Sequence, residues 1–428
     1  VSTELEEQEN SYKSESTPKY HARETALEVA KLYGASVVLG SATPSLEAYY
    51  RAGRGEYRLF QLTKRLTGGE LPTVYTVDLR QELQEGNRSI FSRKLQELMT
   101  DRLNKGQQTI LFLNRRGYAG FVSCRSCGEV MKCPHCDVSL SEHKGGRLIC
   151  HYCGYTQPMP KLCPKCGSKY ILGFKAGTQQ IEEKLKELYP GVRTLRMDAD
   201  TTRTKDSYEK ILSSFANGEA DVLIGTQMIV KGHDFPKVTL VGILAADLSL
   251  NASDYRAGER TFQLLTQAVG RAGRGVLPGE AVIQTYQPDH YAITCAAAQD
   301  YESFYQEEIL YRELSGYPPV AHMLAVQIYG KEEENVKQLA LRLTDVVKSN
   351  MDFLSGKQKE QSNKKIQVLG PAPANISKIN DIYRYVFYVK HAEYDVLVEV
   401  KDRLEETLRQ WQPRQMSIQF DFDPVSVL

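Results

Sequence analysis

The sequence has almost no net charge. Its 54 lysines and arginines are balanced by 53 aspartates and glutamates, which leaves a formal charge of +1 over 428 residues. So small a net charge gives the whole molecule no electrostatic field that would indicate a nucleic-acid partner. Any evidence for such a partner must therefore come from local sites.

Long apolar runs and a secretory start are also missing. No run approaches the roughly 18 apolar residues of a membrane helix, so we expect no membrane partner. The first residues, VSTELEEQEN, are acidic and polar, unlike the basic start and apolar stretch of a signal peptide. Because the first residue is Val1 rather than methionine, we expect a piece of a longer polypeptide, truncated at its N-terminus.

Nine cysteines are present, and eight of them fall between Cys124 and Cys166, with Cys295 alone. Disulfide-rich secreted proteins spread their cysteines through a small domain, whereas a local cluster is typical of metal ligation. We therefore expect thiolate ligands in a reducing cytoplasm.

The pattern of helices and strands divides the chain into regions. A helix over 20–33 and an apolar strand over 36–39 are predicted within residues 1–71. Helices and strands alternate over 72–120 and 175–290, which predicts an α/β unit with a parallel sheet covered on both faces. Residues 121–174 hold the cysteines. Residues 291–428 follow the order β-α-β-β-α-β, which predicts a ferredoxin-like α+β unit.

The cysteine block contains four CxxC pairs. They are Cys124/Cys127, Cys133/Cys136, Cys150/Cys153 and Cys163/Cys166. Two such turns supply the four thiolates of a tetrahedral structural zinc site, so the block predicts two zinc ions. Turn glycines follow three pairs, and prolines lie within two. Eight buried cysteines or four disulfides would not explain the repeated spacing, and an iron–sulfur cluster is the nearest rival. His135, His143 and His151 are expected to be surface histidines.

The charge of this block does not by itself indicate DNA. Residues 121–175 carry eight Lys/Arg against three acids, a formal +5. Each zinc with four thiolates carries about −2, so the folded block is close to neutral. A solvated surface is the default interpretation of its lysines, although they can still contact phosphates locally.

Four further stretches point to phosphate chemistry. Three of them follow apolar strands, where the ligand crevice of an α/β sheet lies, and the fourth closes a helix. They are GSATPS (40–45), NRRGY (114–118), GTQMIVKGHD (225–234) and QAVGRAGR (267–274).

Arg271 and Arg274 are three residues apart, so we expect them to share a helix face. Two guanidinium groups there could stabilise the charge that develops on a γ-phosphate. A capping or salt-bridged arginine pair is the alternative, which the neighbouring Gln267 and the GTQ loop disfavour.

These stretches resemble motifs III, V and VI of superfamily 2 helicases. The chain resembles the PriA family of primosomal replication-restart helicases in particular. This resemblance rests on the four cysteine pairs and on the segments LFLNRRGYAGF, GTQMIVKGHDFPKVTLVGILAAD, YHARETA and GYPPVAHMLAV. The resemblance implies an ATP-driven 3′→5′ DNA helicase that acts at stalled forks and initiates primosome assembly. It also implies a cysteine region that assists unwinding and protein contacts, and a C-terminal domain that binds DNA. The implied partners are branched forks, single-stranded DNA, primosome proteins and the single-stranded-DNA-binding protein.

The resemblance also implies roles for individual residues. Residues 72–120 and 175–290 would be the second RecA-like lobe, and residues 1–71 the end of the first lobe with a linker. The implied cofactors are two Zn²⁺ and ATP with Mg²⁺. The implied sites are an arginine-finger pair at Arg271 and Arg274, a nucleotide contact at Gln267, and DNA–ATP coupling at Thr226, Gln227, Lys231, Gly232, Arg115, Arg116 and Thr43. Outer pairs Cys124/Cys127 and Cys163/Cys166 would hold zinc 1, and inner pairs Cys133/Cys136 and Cys150/Cys153 zinc 2. Spacing alone leaves nested and crossed pairing open.

Two departures from the family pattern bear on activity. No G-x-x-x-x-G-K-[ST] occurs, so the lysine that grips the β- and γ-phosphates is absent from these residues. The family's DEEH motif falls on Leu5-Glu6-Glu7-Gln8, which replaces its metal-binding aspartate and its histidine. An incomplete helicase motor is therefore one hypothesis. The other is a zinc-stabilised platform that binds DNA or protein on a degenerate lobe. A zinc-ribbon accessory of another class is disfavoured, because it needs neither GTQ nor GRAGR.

Overall fold

The structure is a computed structural model. It describes residues 6–62, 71–113, 122–135, 138–143, 146–150, 153–172, 177–198, 201–202, 205–226, 229, 235–252, 254–275, 277–349 and 365–425. We use four names for its parts: the leading segment (6–62), the lobe (71–113 and 177–315), the insert (122–172) and the C-terminal unit (317–425).

The helices are α1 Ala22–Tyr33, α2 Leu46–Gly53, α3 Leu79–Gln84, α4 Arg93–Asn104, α5 Thr178–Leu188, α6 Lys205–Ala216, α7 Asp247–Leu250, α8 Ala257–Val269, α9 Tyr291–Ala298, α10 Tyr301–Ser315, α11 Glu333–Ser349 and α12 Tyr394–Trp411. The strands are β1 Thr73–Asp78, β2 Gln108–Leu113, β3 Ser123–Cys124, β4 Ser141–His143, β5 Arg147–Ile149, β6 Thr156–Pro158, β7 Ile171–Leu172, β8 Thr194–Met197, β9 Val222–Gly225, β10 Val238–Leu244, β11 Glu280–Thr285, β12 His322–Gly330, β13 Gln367–Ile379, β14 Ile382–His391 and β15 Met416–Phe422. None of the described helices is long and apolar enough to cross a membrane.

The lobe is built on one parallel sheet, as the alternating pattern predicted. Its strand order is β1-β11-β10-β2-β9-β8, and every neighbouring pair runs parallel. The inner strands β2, β9 and β10 are buried along their whole length, because helices cover both faces. Strands β9 and β2 end at the same edge of the sheet, at Gly225 and Leu113.

The insert lies between β2 and α5 and has little regular structure. A two-stranded ladder pairs β3 with β7, and β4, β5 and β6 form a small antiparallel sheet. Its core combines cysteines with Met131, Leu140 and Leu148, and the same cluster continues into Met323 and Tyr388 of the C-terminal unit.

The C-terminal unit has the predicted ferredoxin-like topology. Its elements follow the order β12-α11-β13-β14-α12-β15, and the antiparallel sheet order is β13-β14-β12-β15. Helices α11 and α12 cover one face around Phe387 and Leu343. Met323, Ala325, Val386 and Tyr388 project from the other face, and these side chains pack against the insert.

Two details differ from expectation. Residues 36–39 form no strand, and Val38 is 81% exposed, because a strand needs a neighbour and the described residues provide none. The sequence predicts that the C-terminal domain begins at residue 291, so helices α9 and α10 would belong to it. Their residues Ile293 and Phe304 nevertheless pack into the core of the lobe. The division of the chain into domains remains a prediction.

Candidate functional site

The outer cysteine cluster is formed by the first and last CxxC turns. The thiols of Cys124, Cys127, Cys163 and Cys166 all lie within 4.8 Å of one another. The Sγ atoms of Cys124 and Cys166 are 3.6 Å apart, as are those of Cys127 and Cys163. Tetrahedral sulfurs about 2.3 Å from a zinc ion are separated by roughly 3.8 Å. The four thiols therefore have the spacing and the donor chemistry of a closed zinc site.

The inner cluster brings together Cys133, Cys150 and Cys153, whose thiols also lie within 4.8 Å of one another. The Sγ atoms of Cys133 and Cys153 are 3.5 Å apart. Cys136 lies outside the described residues. All described cysteines are free thiols, and their two groups follow the nested arrangement.

Local backbone geometry shapes the turn that carries the Cys124 and Cys127 thiols. Gly128 has a φ of +78° and donates its N–H to Cys124 O at 2.8 Å, a turn that favours glycine. Burial raises the pKa of the Cys124 thiol, but the backbone N–H groups of Cys127 and Ser126 outweigh it and lower the pKa to about 7. Burial raises the pKa of the Cys127 thiol in the same turn to about 12, so it is Cys124 that the backbone shifts toward the thiolate, the form that binds metals.

The insert is held firmly against the lobe on one side. A Cβ on Gly128 would lie 2.5 Å from Tyr286 O, so the two backbones are in direct contact. The guanidinium of Arg125 stacks over the Tyr286 ring, 4.9 Å from its centroid. The Tyr286 N–H donates in turn to the buried carboxylate of Asp247 at 2.9 Å.

The SATPS stretch contacts the beginning of the described chain. Thr43 is fully buried, and Gln8 Nε2 donates to its hydroxyl at 3.4 Å. The Glu7 carboxylate accepts hydrogen bonds from Ser45 N at 2.5 Å and from Ser45 Oγ at 3.0 Å, and it pairs with Arg23 at 2.7 Å. Sequence reasoning identified Thr43 but missed this Glu7–Ser45–Arg23 contact.

The GRAGR arginines lie beyond helix α8, not on it. The helix ends at Val269 with Gly270 as its C-cap, and Gly273 has a φ of +69°. The helix therefore ends before both arginines, and the prediction that Arg271 and Arg274 share a helix face is wrong. Arg271 is half-buried, whereas Arg274 is exposed and donates from Nε to Gly270 O at 2.9 Å. Gln267 lies half-buried on α8.

Of the coupling residues predicted within the stretch GTQMIVKGHD (225–234), Thr226 is the one that the structure describes. It follows β9, and Ile229 N donates to Thr226 O at 3.1 Å. A side chain at Gly225 would come within 2.7 Å of Ile229 and of Met197 O. The other predicted motor residues, Gln227, Lys231, Gly232, Arg115 and Arg116, lie outside the described residues.

Helix α8 is fixed by a buried charged network that the sequence analysis also missed. Glu259 accepts from Leu46 N at 3.0 Å and from Arg312 at 3.1 Å. Arg256 bridges Glu259 and Glu47 at 3.3 and 2.6 Å. Arg312 continues to Glu308 at 2.7 Å and to Pro318 O at 2.8 Å. The i,i+4 spacing of Glu308 and Arg312 is the one signal the sequence offers, and it does not indicate burial.

Three protein-family models match successive parts of the chain. The PriA DNA helicase Cys-rich region domain matches residues 133–158, the helicase conserved C-terminal domain residues 162–276, and the primosomal protein N C-terminal domain residues 313–425. Their order agrees with the cysteine clusters, the parallel sheet and the C-terminal unit described above.

Curated relatives match almost the whole chain. The replication restart protein PriA of Bacillus subtilis is 44% identical over 99% of this chain and 51% of its own length. The Synechocystis protein of the same name is 41% identical over 99% and 50%, and the Treponema pallidum protein 37% over 99% and 62%. Among solved structures, S. cerevisiae Dbp5 bound to RNA and ADP BeF3 matches at 12% identity, over 68% of this chain and 59% of that chain, with a TM-score of only 0.33.

The chain spans about half the length of the curated relatives it matches first. Over that half, the sequence match covers 99% of this chain, and the three matched domains follow one another along it. The chain therefore belongs to the family of the replication restart protein PriA.

Proposed function

We propose that this chain is the C-terminal part of an ATP-dependent 3′→5′ DNA helicase that recognises stalled forks and initiates primosome assembly. The observation that carries the proposal is the combination, within one fold, of a helicase lobe and a two-cluster cysteine insert bound to its edge. Both have the family's motifs in the family's order. The proposed partners are branched and single-stranded DNA, primosome proteins and the single-stranded-DNA-binding protein.

The proposal includes two structural zinc ions. Cys124, Cys127, Cys163 and Cys166 would hold the outer ion, and Cys133, Cys150 and Cys153 the inner ion with Cys136 as the fourth ligand. The S···S distances of 3.5 to 3.6 Å support both sites. Free thiols in every described cysteine support action in the reducing cytoplasm.

For the motor, we propose that Arg271 and Arg274 act as arginine fingers on ATP bound with Mg²⁺, with Gln267 as a nucleotide contact. The exposure of Arg274, at the end of a turn that its Nε closes onto Gly270 O, supports this role. Arginine fingers are worth roughly 10³–10⁵ in rate, but only on a nucleotide that other groups already hold. The residues that would couple DNA binding to that site are Thr226, Gln227, Lys231, Gly232, Arg115, Arg116 and Thr43.

A second candidate is a zinc-stabilised DNA- or protein-binding platform without ATPase activity. It is favoured by Leu5 and Gln8 at the position of the family's DEEH motif. Phosphoryl transfer in this class needs a P-loop lysine, an acidic Mg²⁺ site and the arginines together. Both candidates therefore predict little ATP turnover by these residues alone.

The test compares ATP turnover by this chain with turnover by a polypeptide that also carries an upstream P-loop lobe, each with and without single-stranded DNA. We expect no helicase-like turnover by the 428 residues and DNA-stimulated turnover by the longer polypeptide. In the longer polypeptide, Arg274→Ala should abolish most turnover and leave DNA binding nearly unchanged. Brisk, DNA-stimulated hydrolysis by the shorter chain would overturn the incomplete-motor proposal. An inactive longer polypeptide would favour the platform.

A further inference from the structure

The insert repeats one CxxC turn, and its copies have different surroundings. Gly128, Gly154 and Gly167 follow three of the cysteine pairs, and all have positive φ. A Cβ on Gly128 would lie 2.5 Å from Tyr286 O of the lobe, and one on Gly154 would lie 3.4 Å from Pro371 O of the C-terminal unit. A Cβ on Gly167 would meet nothing within 4 Å. Two turns are therefore docked against the protein, and the third faces open space.

This third turn with its flanks, residues 161–170, is the outer tip. Cys163 is buried and Ser168 half-buried, while its other residues are exposed. Cys163 N donates to Ser168 O at 2.8 Å, so the two flanks run side by side. Each flank exposes one large apolar side chain, with Leu162 59% and Tyr170 55% accessible. The fold itself gains little from side chains so exposed, so they are available to a partner.

The charged side chains of the outer tip are all of one sign apart from Cys163 and Cys166, which share the charge of about −2 that a zinc ion with four thiolates carries. Lys161, Lys165 and Lys169 are exposed, and no acidic residue occurs from 161 to 170. Glu129 approaches Lys165 at 3.3 Å, but the Lys165 side chain remains 66% exposed. Protein–protein interfaces are depleted of lysine at their centres. Lysines interleaved with an aromatic ring are instead typical of surfaces for single-stranded nucleic acid, where bases stack and phosphates pair with cations.

We propose that the outer tip binds single-stranded DNA. The Tyr170 ring stacks on an unpaired base, Leu162 packs against the same base or its neighbour, and the three lysines neutralise backbone phosphates. Duplex DNA fits less well, because its bases are already stacked on one another. This inference rests on the proposed function, since it assigns a DNA contact to the turn that the rest of the protein leaves uncovered.

The test measures binding of a dye-labelled oligothymidylate to the 428-residue chain by fluorescence anisotropy. Stacking of one base is worth about 1–3 kcal/mol, so Tyr170→Ala should weaken binding roughly 5- to 140-fold. Tyr170→Phe keeps the ring and should bind like the wild type, and Leu162→Ala should weaken binding to a smaller extent. Leu314→Ala removes an apolar side chain that is 81% exposed on α10 and serves as the matched control. Zinc content verifies the fold of each variant.

The salt dependence separates stacking from charge. Each phosphate contact on a single strand contributes about 0.7 to the slope of log affinity against log salt concentration. Lys169→Ala should lower the slope by about that amount, while Tyr170→Ala and the control Lys31→Ala, at a side chain 71% exposed on α1, should leave it unchanged. If the wild type binds DNA but Tyr170→Ala binds equally well, the tip serves another partner and this inference alone is overturned. If the wild type binds no DNA, the DNA binding of the proposed function fails with it.

Discussion

Replacing Arg312 with methionine should strongly destabilise the fold. Its side chain is fully buried and donates to Glu308 at 2.8 Å, to Glu259 at 3.1 Å and to Pro318 O at 2.8 Å. Methionine fills similar space but leaves two buried carboxylates without this cation. Removing one member of a buried ionic network costs roughly 3–5 kcal/mol.

The neighbours limit that loss. Glu308 keeps the Tyr291 hydroxyl at 2.6 Å, and Glu259 keeps Leu46 N and Arg256. The loss of unfolding free energy should therefore stay within about 3–5 kcal/mol. It should not reach the sum for Glu308, Glu259 and Pro318 O each left unpaired, at about 1–3 kcal/mol per group. Arg403→Met provides the matched control, because Arg403 is 55% exposed and pairs with Glu406 on the surface of α12. Its effect should remain within about 0.5 kcal/mol.

The loss should also depend on pH. Burial raises the pKa of Glu308, and Arg312 opposes that shift. Without Arg312 the folded-state pKa rises further, so protonation stabilises the folded variant below the unfolded pKa of about 4.3. That contribution disappears as the pH rises through the folded-state pKa. The deficit of Arg312→Met relative to the wild type should therefore be smaller at about pH 5 than at about pH 8.

Urea unfolding followed by far-ultraviolet circular dichroism at both pH values measures these deficits. Adding Glu259→Gln and Glu308→Gln to Arg312→Met removes the unpaired charges and should recover part of the stability. Equal urea midpoints for Arg312→Met and Arg403→Met would refute the reasoning, and so would a deficit that does not change with pH.

Two further predictions concern the insert. Elemental analysis should find two zinc ions per chain, and Cys133→Ala should release the inner ion alone, which would leave one; simultaneous loss of both would contradict independent nested sites. Gly167→Ala should cost only the roughly 1–2 kcal/mol of its left-handed backbone, because no atom lies within 4 Å of the added Cβ. Gly128→Ala should cost about 1–3 kcal/mol more, since its Cβ would lie 2.5 Å from Tyr286 O; equal urea midpoints for the two alanine variants would show that the docking contact is not rigid.

The sequence predicted those features that repeat over short distances. Alternating helices and strands predicted the parallel sheet, and the order of the last six elements predicted the ferredoxin-like unit. The CxxC spacing identified the thiols, but it is compatible with both nested and crossed pairing of the four CxxC turns. Only the path of the chain, which places Cys124 beside Cys166, distinguishes them.

Features that depend on distant neighbours could not be predicted. Residues 36–39 have the composition of a strand, but strand formation depends on a pairing partner elsewhere in the chain. Glu259 and Arg312 are 53 residues apart, and each alone resembles a surface charge. The spacing of Arg271 and Arg274 suits a helix face, yet helix α8 ends at Val269, before both arginines.

The contact between Lys13 and the last strand has a consequence for how the protein is made. Lys13 Nζ donates to Phe422 O at 3.1 Å across 409 residues of sequence, and it pairs with Asp421 at 2.6 Å. At about 5–20 residues per second, a ribosome needs roughly 20–80 s to synthesise the intervening chain. During that interval Lys13 has no carboxylate to meet. The contacts of Lys13 with the C-terminal unit can therefore form only after β15 has been synthesised, whereas the contacts of Leu46 and Glu47 with Glu259 and Arg256 need only the chain as far as α8.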